Sequence, residues 1–379
     1  MRLKQCAKEI FTVIEILKIY HLCTMQLLKF LFVLSLICFI IQCSNPPEPI
    51  NLQDKNTVAI EIEYAKNFNL KRTKRGFQLE ILDPNTKAIE STTELRKNRR
   101  KRIISLSSTL NGMLSILNQT DKLVGVSDMD YVYEPKIHAH FDAKQITEYG
   151  DESNFSLEKV IASNANIILY SGFGKEFPHH KKLNALNIAI VPIYDWRENH
   201  PLGKAEWIKV VGAIVGKEKE AIAFFEDVKQ KYFAIKKRAE NSKNKPSSIC
   251  GNLIGDIWYT PGGEGYYAKL LKDAGASYKY ADIPGTSSLE YSIETILNDN
   301  KDTEFWINPG IESKEKIDRI NPHAKHLKAY QNIYCYSSDL NKFWERSAAE
   351  PHLVLSDLIH IFHPDIESIK TFHFYNRIK

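Results

Sequence analysis

The sequence has few cysteines, little net charge and no apolar run long enough to cross a membrane. Its 379 residues contain six cysteines, and only Cys250 and Cys335 follow residue 43. The absence of CxxC or Cys/His zinc spacing argues against a zinc-ribbon protein or a disulfide scaffold. Export to an oxidising compartment would permit a Cys250–Cys335 bridge, but two buried free thiols are expected. Glycine (17) and proline (15) are near background, which excludes a low-complexity architecture.

Most of the chain also lacks an excess of positive or negative charge. Five of the 51 basic residues and two of the 46 acidic residues precede Cys43, which leaves 46 basic and 44 acidic groups after it. A nearly neutral body gives no electrostatic reason to bind nucleic acid. The length is sufficient for two or three domains with a hydrophobic core.

The amino terminus contains a short apolar segment. Residues 30–41 (FLFVLSLICFII) carry no charge and follow Lys29. Twelve apolar residues are too few for a comfortable membrane span, but they are typical of a secretory signal. The segment ends at Ile-Ile-Gln-Cys43, which resembles the lipobox of bacterial lipoproteins. It predicts that Cys43 is lipidated and that the protein is anchored in the bacterial cell envelope, on the periplasmic side. A plain cleaved signal and an uncleaved anchor are the alternatives, and Met25 is a second candidate start.

Residues 44–100 are expected to form a tether and a small β extension. Residues 58–64 and 77–82 alternate apolar and polar side chains as strands do. The basic run at residues 96–102 (RKNRRKR) is interpreted as a solvated link between strands rather than a nucleic-acid site.

The rest of the chain alternates strand and helix patterns, which predicts an α/β fold with parallel sheets. Residues 101–200 are expected to form a first lobe, residues 201–245 a helical backbone between lobes, and residues 246–345 a second lobe. A closing helix and tail occupy residues 346–379. Residues 206–241 have helical periodicity that Gly216 punctuates, and residues 253–258 are predicted as one strand. A ligand pocket is expected between the lobes.

Several segments together resemble a known family of importer proteins. They are residues 102–107 (RIISLS), 123–127 (LVGVS), 155–160 (FSLEKV), 165–169 (ANIIL) and 183–188 (LNALNI). The chain resembles the substrate-binding proteins of iron-siderophore, haem and vitamin B12 ABC importers, periplasmic binding proteins with a helical backbone between two lobes. Residues 201–207 (PLGKAEW), 343–346 (FWER), 353–358 (LVLSDL) and 362–364 (FHP) are similar to a Bacteroidetes-type branch, which has arginine where this chain has Lys204. The resemblance covers roughly residues 55–365.

The resemblance implies that a ferric siderophore or another bulky metal chelate binds between the lobes and is delivered to the permease. No catalysis, cofactor, resident metal or nucleic acid is expected, and the protein is expected to be a monomer. Aromatic rings suit a broad, partly flat ligand, and cations or hydroxyls suit its anionic edge. The candidate ligand-binding residues are Ser107, Ser108, Thr109, Tyr131, Trp196, Arg197, Trp258, Tyr259, Tyr266, Tyr267, Phe343, Trp344 and Arg346, with Tyr133 and Lys204 beside them.

The resemblance implies a second function, which is docking on the permease. Family members present one carboxylate per lobe to arginine pockets on the transporter, and the matching positions here are Glu176 and Glu294. An alternative function for each is to stabilise a helix start, since carboxylates are favourable there.

The sequence leaves several other functions open. A haem or cobalamin receptor has the same family signals. A zinc or manganese receptor would use histidines, for which residues 138–140 (HAH) and 179–180 (HH) are candidates. An exported hydrolase is less favoured because the chain has no GxSxG or HExxH motif. The glycine-rich residues 258–267 lack the GK[ST] ending of a phosphate-binding loop.

Overall fold

The structure is a computed structural model that describes residues 57–97, 100–150, 155–172, 176–337, 343–366 and 371–379. Residues 56–379 form one compact unit. The signal segment and Cys43 lie outside the described residues, so the lipidation of Cys43 stays a prediction. In the part of the chain that the structure describes, no helix has both the length and the apolarity that a membrane span needs.

The amino-terminal part of this unit is a four-stranded antiparallel sheet. Its strands, which lie in sequence order, are β1 (Val58–Ala59), β2 (Phe68–Thr73), β3 (Gly76–Leu82) and β4 (Ile89–Arg96). The expected strand at residues 77–82 is confirmed as β3. The strand expected over residues 58–64 is wrong beyond Ala59, because the backbone amides of residues 63–67 bind carboxylates instead of another strand.

Those carboxylates are Glu198 and Glu206, which we call the carboxylate clasp. Glu206 accepts hydrogen bonds from the backbone amides of residues 63–65 at 2.8–2.9 Å. Glu198 accepts from the amides of residues 66 and 67 and from the indole of Trp207. Both side chains are buried, and Lys209 lies 2.7 Å from Glu206. The clasp therefore ties the extension to the start of the helical segment.

The first lobe is built on a parallel sheet with the strand order β7-β6-β5-β8-β9. These strands are β5 (Ile103–Ser105), β6 (Leu123–Val126), β7 (Thr147–Glu148), β8 (Ile167–Tyr170) and β9 (Ala189–Pro192). The central strands are buried throughout, as expected for a sheet covered on both faces. The covering helices are α1 (Ser108–Ile116), α2 (Pro135–Asp142), α3 (Leu157–Ser163) and α4 (His180–Ala185).

The helical segment follows as α5 (Pro201–Glu206), α6 (Ile208–Val215) and α7 (Glu218–Glu240). The break between α6 and α7 falls at Gly216, whose φ of 76° is left-handed and favours glycine. Helix α7 buries residues at helical spacing, and they are Ala221, Phe225, Val228, Tyr232 and Ala239. The expected helical backbone therefore exists, as consecutive helices rather than one.

The second lobe contains a five-stranded sheet with the order β13-β10-β15-β16-β17, in which only β17 runs antiparallel. Its strands are β10 (Ser247–Cys250), β13 (Ser277–Tyr278), β15 (Phe305–Ile307), β16 (Ile333–Tyr336) and β17 (Tyr375–Arg377). Cys250 and Cys335 are both buried and unpaired, which confirms the expected free thiols. The described part of the lobe also contains the helices α8 (Tyr266–Asp273), α9 (Ile293–Asp299), α10 (Lys314–Ile320), α11 (Phe343–Arg346) and α12 (Pro351–Phe362).

A small antiparallel sheet completes this lobe. It consists of β11 (Asn252–Ile254), β12 (Ile257–Pro261) and β14 (Ser288–Ser292). The single strand predicted over residues 253–258 is wrong, because Gly255 turns the chain with a φ of 58° and makes a hairpin. The two-lobed α/β fold with a helical segment between the lobes and a β extension is confirmed.

Candidate functional site

The carboxyl edge of the first sheet brings together part of the predicted site. Because β5 and β6 are parallel, the segments after them leave the same edge of the sheet. Ser107 is the N-cap of α1, and the Ser108 hydroxyl donates to the backbone oxygen of Tyr131 at 3.0 Å. Tyr131 is 60% exposed, so its ring is free to contact a ligand.

Helix α11 of the second lobe packs against this edge. The Thr109 hydroxyl donates to the backbone oxygen of Trp344 at 3.4 Å. Glu345 accepts hydrogen bonds from the backbone amides of Tyr133 and Glu134 at 2.9 and 3.2 Å. Trp344 is 46% exposed beside these contacts. The FWER segment therefore joins the two lobes.

A second contact joins Lys204, in the first helix of the helical segment, to Tyr266 of the second lobe. The Lys204 ammonium lies 4.3 Å from the centre of the Tyr266 ring, an attractive cation–π distance. Burial lowers the pKa of Lys204, and the nearby carboxylate of Asp195 opposes that shift. Burial raises the pKa of Asp195, and Lys204 opposes it in turn. The half-buried Lys204 and the buried Asp195 thus lie near enough for each charge to influence the other.

Tyrosines surround this pair on the side of the second lobe. The rings of Tyr266 and Tyr267 meet edge to face with centres 5.1 Å apart, and burial raises the pKa of both phenols. Close by, the Tyr375 hydroxyl and the Asn308 side-chain amide are buried, and neither forms a hydrogen bond of ordinary geometry with a described group. Both groups have almost no exposed surface, so they lie in the interior of the second lobe rather than on a face that a ligand contacts. We call Thr109, Asp195, Lys204, Tyr266, Tyr267 and Trp344 the inter-lobe site.

Two predicted ligand residues, Trp258 and Phe343, are buried in this structure. Trp258 has no exposed surface, lies 4.5 Å from the Trp306 ring centre and donates its indole N–H to the backbone oxygen of Cys250. Phe343 is 2% exposed and stacks on Tyr336 with ring centres 3.8 Å apart. Both rings have their surfaces covered by protein, so they pack in the core rather than offering a face to a ligand.

Two other predicted ligand residues already contact neighbouring protein groups. Tyr259 is partly buried on β12, between Asn252 and Glu290 in register. The Arg346 guanidinium donates to Glu350 at 2.5 Å, and this bond raises its pKa. Arg346 is therefore already neutralised within the protein.

Trp196 contacts the first lobe and Arg197 contacts the β extension. The Trp196 indole donates to the backbone oxygen of Ser171, and Arg197 donates to the Asn85 side chain, each at 2.7 Å. Both residues border a cavity of about 430 Å³ between the extension and the first lobe. Tyr194 in this cavity donates to Glu90 at 2.8 Å.

A cavity of about 610 Å³ contains residues that the sequence analysis missed. It extends from the extension to the second lobe, and its lining includes His200, Glu264 and Lys269. Burial lowers the pKa of His200 to about 4, so the ring is neutral near pH 7. No sequence pattern singles out these residues, because they come from three separate segments.

The two expected docking carboxylates are both exposed. Glu176 lies before α4, 3.4 Å from the His180 ring, with a side chain that is 69% exposed. Glu294 lies in the first turn of α9, where the hydroxyl of the N-cap Ser292 lowers its pKa. Exposure is compatible with docking, but it does not test it.

The histidines proposed for zinc or manganese have other partners. His138 contacts the backbone oxygen of Val132 and His140 contacts the Gln145 side chain, each at 2.6 Å. Among the described residues, no three histidines, cysteines or carboxylates are grouped in a way that could hold a metal ion. No observation therefore favours the metal-ion alternative.

Known proteins share parts of this sequence. A family model described as a periplasmic binding protein matches residues 103–339. An uncharacterised lipoprotein of Methanocaldococcus jannaschii is 27% identical over 72% of this chain and 68% of its own length. The family model thus covers the first lobe, the helical segment and most of the second lobe.

Two solved structures are similar in fold. A periplasmic haem-binding protein from Pseudomonas aeruginosa has a TM-score of 0.56 and 17% identity, over 74% of this chain and 98% of that one. A possible iron-binding, periplasmic solute-binding protein from Staphylococcus epidermidis has a TM-score of 0.57 and 19% identity, over 70% of this chain and 100% of that one. At this level of identity the likeness concerns the fold alone.

Proposed function

The chain belongs to the periplasmic binding protein family, whose model matches residues 103–339, and on this premise we propose that it is the substrate-binding protein of an ABC importer. It captures a ligand between its lobes and delivers it to the permease. The observation that carries this proposal is the inter-lobe site, where Lys204 and Tyr266 from different parts of the fold face each other.

An iron chelate, such as a ferric siderophore, is the ligand that we propose. Siderophores combine flat or apolar surfaces with anionic oxygens. The rings of Tyr131, Tyr266 and Trp344 can cover the surfaces, and Lys204 can pair with an oxygen.

Haem or cobalamin is the second candidate of the same class. The fold of the Pseudomonas aeruginosa haem-binding protein supports the haem version of this alternative. Haem also has carboxylates for Lys204 and a flat face for tyrosine rings. The two candidates therefore differ in ligand shape rather than in the residues that bind.

Attachment to the cell envelope through Cys43 is part of the proposal. It is supported by the uncharged residues 30–41 before Cys43 and by the lipoprotein name of the Methanocaldococcus jannaschii relative. The protein acts as a receptor in this proposal, and it carries no catalytic step.

Calorimetric titration tests the proposal. We expect saturable one-to-one binding of a ferric siderophore, haem or cobalamin from a panel that also contains zinc. The Lys204→Met variant should weaken that binding about tenfold or more, because it removes a charged hydrogen-bond donor. The control variant Lys219→Met, on the exposed face of α7, should bind like the wild type. Saturable binding of zinc alone would contradict the proposal.

A further inference from the structure

One end of the antiparallel sheet is strongly basic. The turn between β2 and β3 carries Lys74 and Arg75, and β4 ends with Arg96 beside this turn, because Arg96 pairs with Gly76. The Lys97 amide donates to the backbone oxygen of Arg75 at 3.1 Å. With the nearby Arg100, these residues form what we call the basic end.

Its charges are not neutralised by neighbours. Lys74, Arg75, Arg96, Lys97 and Arg100 are exposed, and none has an ion pair with another described residue. By contrast, the adjacent Lys71 and Arg72 are paired with Glu80 and Glu218. The basic end is therefore a local excess of positive charge on a nearly neutral protein.

A small cavity lies within this basic region. It has a volume of about 290 Å³ and is lined by Lys97, Arg100, Lys101, Asp121, Lys122 and Val215. Four cations and one carboxylate surround it, which favours an anion. A volume of about 290 Å³ leaves room for a group larger than a single oxygen. A phosphate ester fits this chemistry.

We propose that the basic end binds the headgroups of anionic phospholipids in the membrane. This inference rests on the proposed lipid anchor at Cys43. Fourteen residues, 44–57, separate Cys43 from β1, and when extended they reach about 50 Å. A segment of this length is sufficient for the basic end to reach the headgroups when Cys43 is lipidated.

Electrostatic binding complements a lipid anchor. Lys and Arg near an anionic surface strengthen binding by about fivefold each, and the effect is screened by salt. A membrane fits better than nucleic acid because the charge excess is confined to one end of an exported protein. Such binding orients the protein, with the β extension against the bilayer.

Vesicle sedimentation tests this inference without the lipid anchor. The protein used is residues 44–379, which contains the whole compact unit of residues 56–379. We expect it to bind vesicles of 70% phosphatidylcholine and 30% phosphatidylglycerol at 50 mM salt, and to dissociate at 500 mM. Vesicles of phosphatidylcholine alone should not bind. The variant Arg75→Gln/Arg96→Gln/Arg100→Gln should bind about a hundredfold more weakly.

The matched control removes the same charge elsewhere. Lys237, Lys243 and Lys272 are exposed, and their triple glutamine variant should bind vesicles within about threefold of the unchanged protein. Equal weakening by both variants would mean that net charge alone acts, and it would overturn the inference. Equal binding to neutral vesicles would also overturn it.

A separate arm distinguishes free phosphate from lipid. Inorganic phosphate is titrated while the amide signals of Lys97 and Lys122 are followed by NMR. Phosphate binding without vesicle binding would overturn the membrane proposal. The vesicle result does not depend on ligand capture, so a protein that binds no chelate could still bind anionic vesicles. Unchanged chelate affinity in the arginine variant separates the two proposals further.

Discussion

At the scale of residues, the least expected feature is the carboxylate clasp. Glu206 belongs to the PLGKAEW segment that carried part of the family resemblance, yet the structure uses it to hold backbone amides 141–143 residues away. A sequence pattern can mark such a glutamate but cannot show its partner, because nothing local links the two segments. The exposure of Tyr131 and the burial of Trp258 were hidden for the same reason.

We expect Glu206→Gln to lower the free energy of unfolding by about 3 kcal/mol. The substitution leaves the buried Lys209 without its partner carboxylate and removes an acceptor for the backbone amides of residues 63–65. Urea denaturation monitored by tryptophan fluorescence measures this change.

The matched control is Glu220→Gln. Glu220 pairs with Lys217 at the same spacing and the same 2.7 Å distance, but on the surface. An exposed pair contributes less than about 1 kcal/mol. Equal effects of the two variants would show that the clasp does not stabilise the protein.

The buried His352 should make the free energy of unfolding depend on pH. Burial lowers the pKa of its ring to about 4, despite the nearby carboxylates of Glu350 and Asp227. In the unfolded chain the ring has its ordinary pKa of about 6.5, so the unfolded state binds a proton first as the pH falls. The contribution of this group is therefore present at pH 7 and is lost as the pH falls from about 6.5 to about 4.

We expect the loss from His352 to be on the order of 3 kcal/mol. Urea midpoints measured between pH 4 and pH 7 should fall less steeply in His352→Gln than in the wild type. The variant His326→Gln, at an exposed position, should keep the wild-type slope. Parallel curves for all three proteins would refute this role of His352.

At the scale of elements, strand and helix periodicity was a good guide wherever an element has one buried face. The strand predicted at residues 77–82 and the helical periodicity of residues 206–241 are both found in the structure, as β3 and as α6 with α7. The two wrong strands have different causes. Gly255 makes a hairpin out of one apolar run, and the sign of its φ angle is not visible in hydrophobic periodicity. The strand expected over residues 58–64 ends early because distant carboxylates bind the backbone amides of residues 63–67.

The packing of α1 against α11 predicts the effect of Gly112→Ala. A β-carbon at residue 112 would lie 1.7 Å from the backbone oxygen of Glu345. Alanine normally stabilises a helix relative to glycine by about 0.5–1 kcal/mol, but this clash cannot be relieved by rotating a side chain. We therefore expect Gly112→Ala to destabilise the protein by about 2 kcal/mol and to weaken ligand binding.

Gly216→Ala is the comparison for this prediction. A β-carbon there meets no atom within 4 Å, so only the left-handed φ opposes it. Its cost should be about 1 kcal/mol, with ligand affinity unchanged. Thermal unfolding and calorimetry measure both quantities, and a stabilised Gly112→Ala variant would contradict the observed packing.

At the scale of the whole molecule, the order of strands and helices predicted the two lobes and the helical segment between them. The inter-lobe site could be predicted only in part. Thr109 and Trp344 do meet between the lobes, whereas Trp196 contacts the first lobe and Arg197 contacts the extension. The position of a side chain between lobes depends on how the lobes meet, and no local signal encodes that arrangement.

If Glu176 and Glu294 dock on a permease, their removal should change ligand uptake without changing ligand affinity. We expect Glu176→Ala with Glu294→Ala to abolish uptake of the ligand into cells and to leave ligand affinity unchanged. Both carboxylates are exposed, so their removal should not disturb the fold. Uptake of the radiolabelled chelate by cells, compared with calorimetry on the purified variant, checks this. The control pair is Glu220→Ala with Glu315→Ala, at exposed helix positions, and normal uptake by the docking variant would discard the assignment.

Native mass spectrometry of the protein taken from iron-starved cells tests the central proposal most directly. We expect a one-to-one complex whose added mass and isotope pattern match an iron chelate. The same measurement on Lys204→Met should yield mainly ligand-free protein. Two results would contradict the proposed capture of an iron chelate at the inter-lobe site. The first is a wild-type protein whose bound ligand is not a metal chelate. The second is a Lys204→Met variant that retains as much ligand as the wild type.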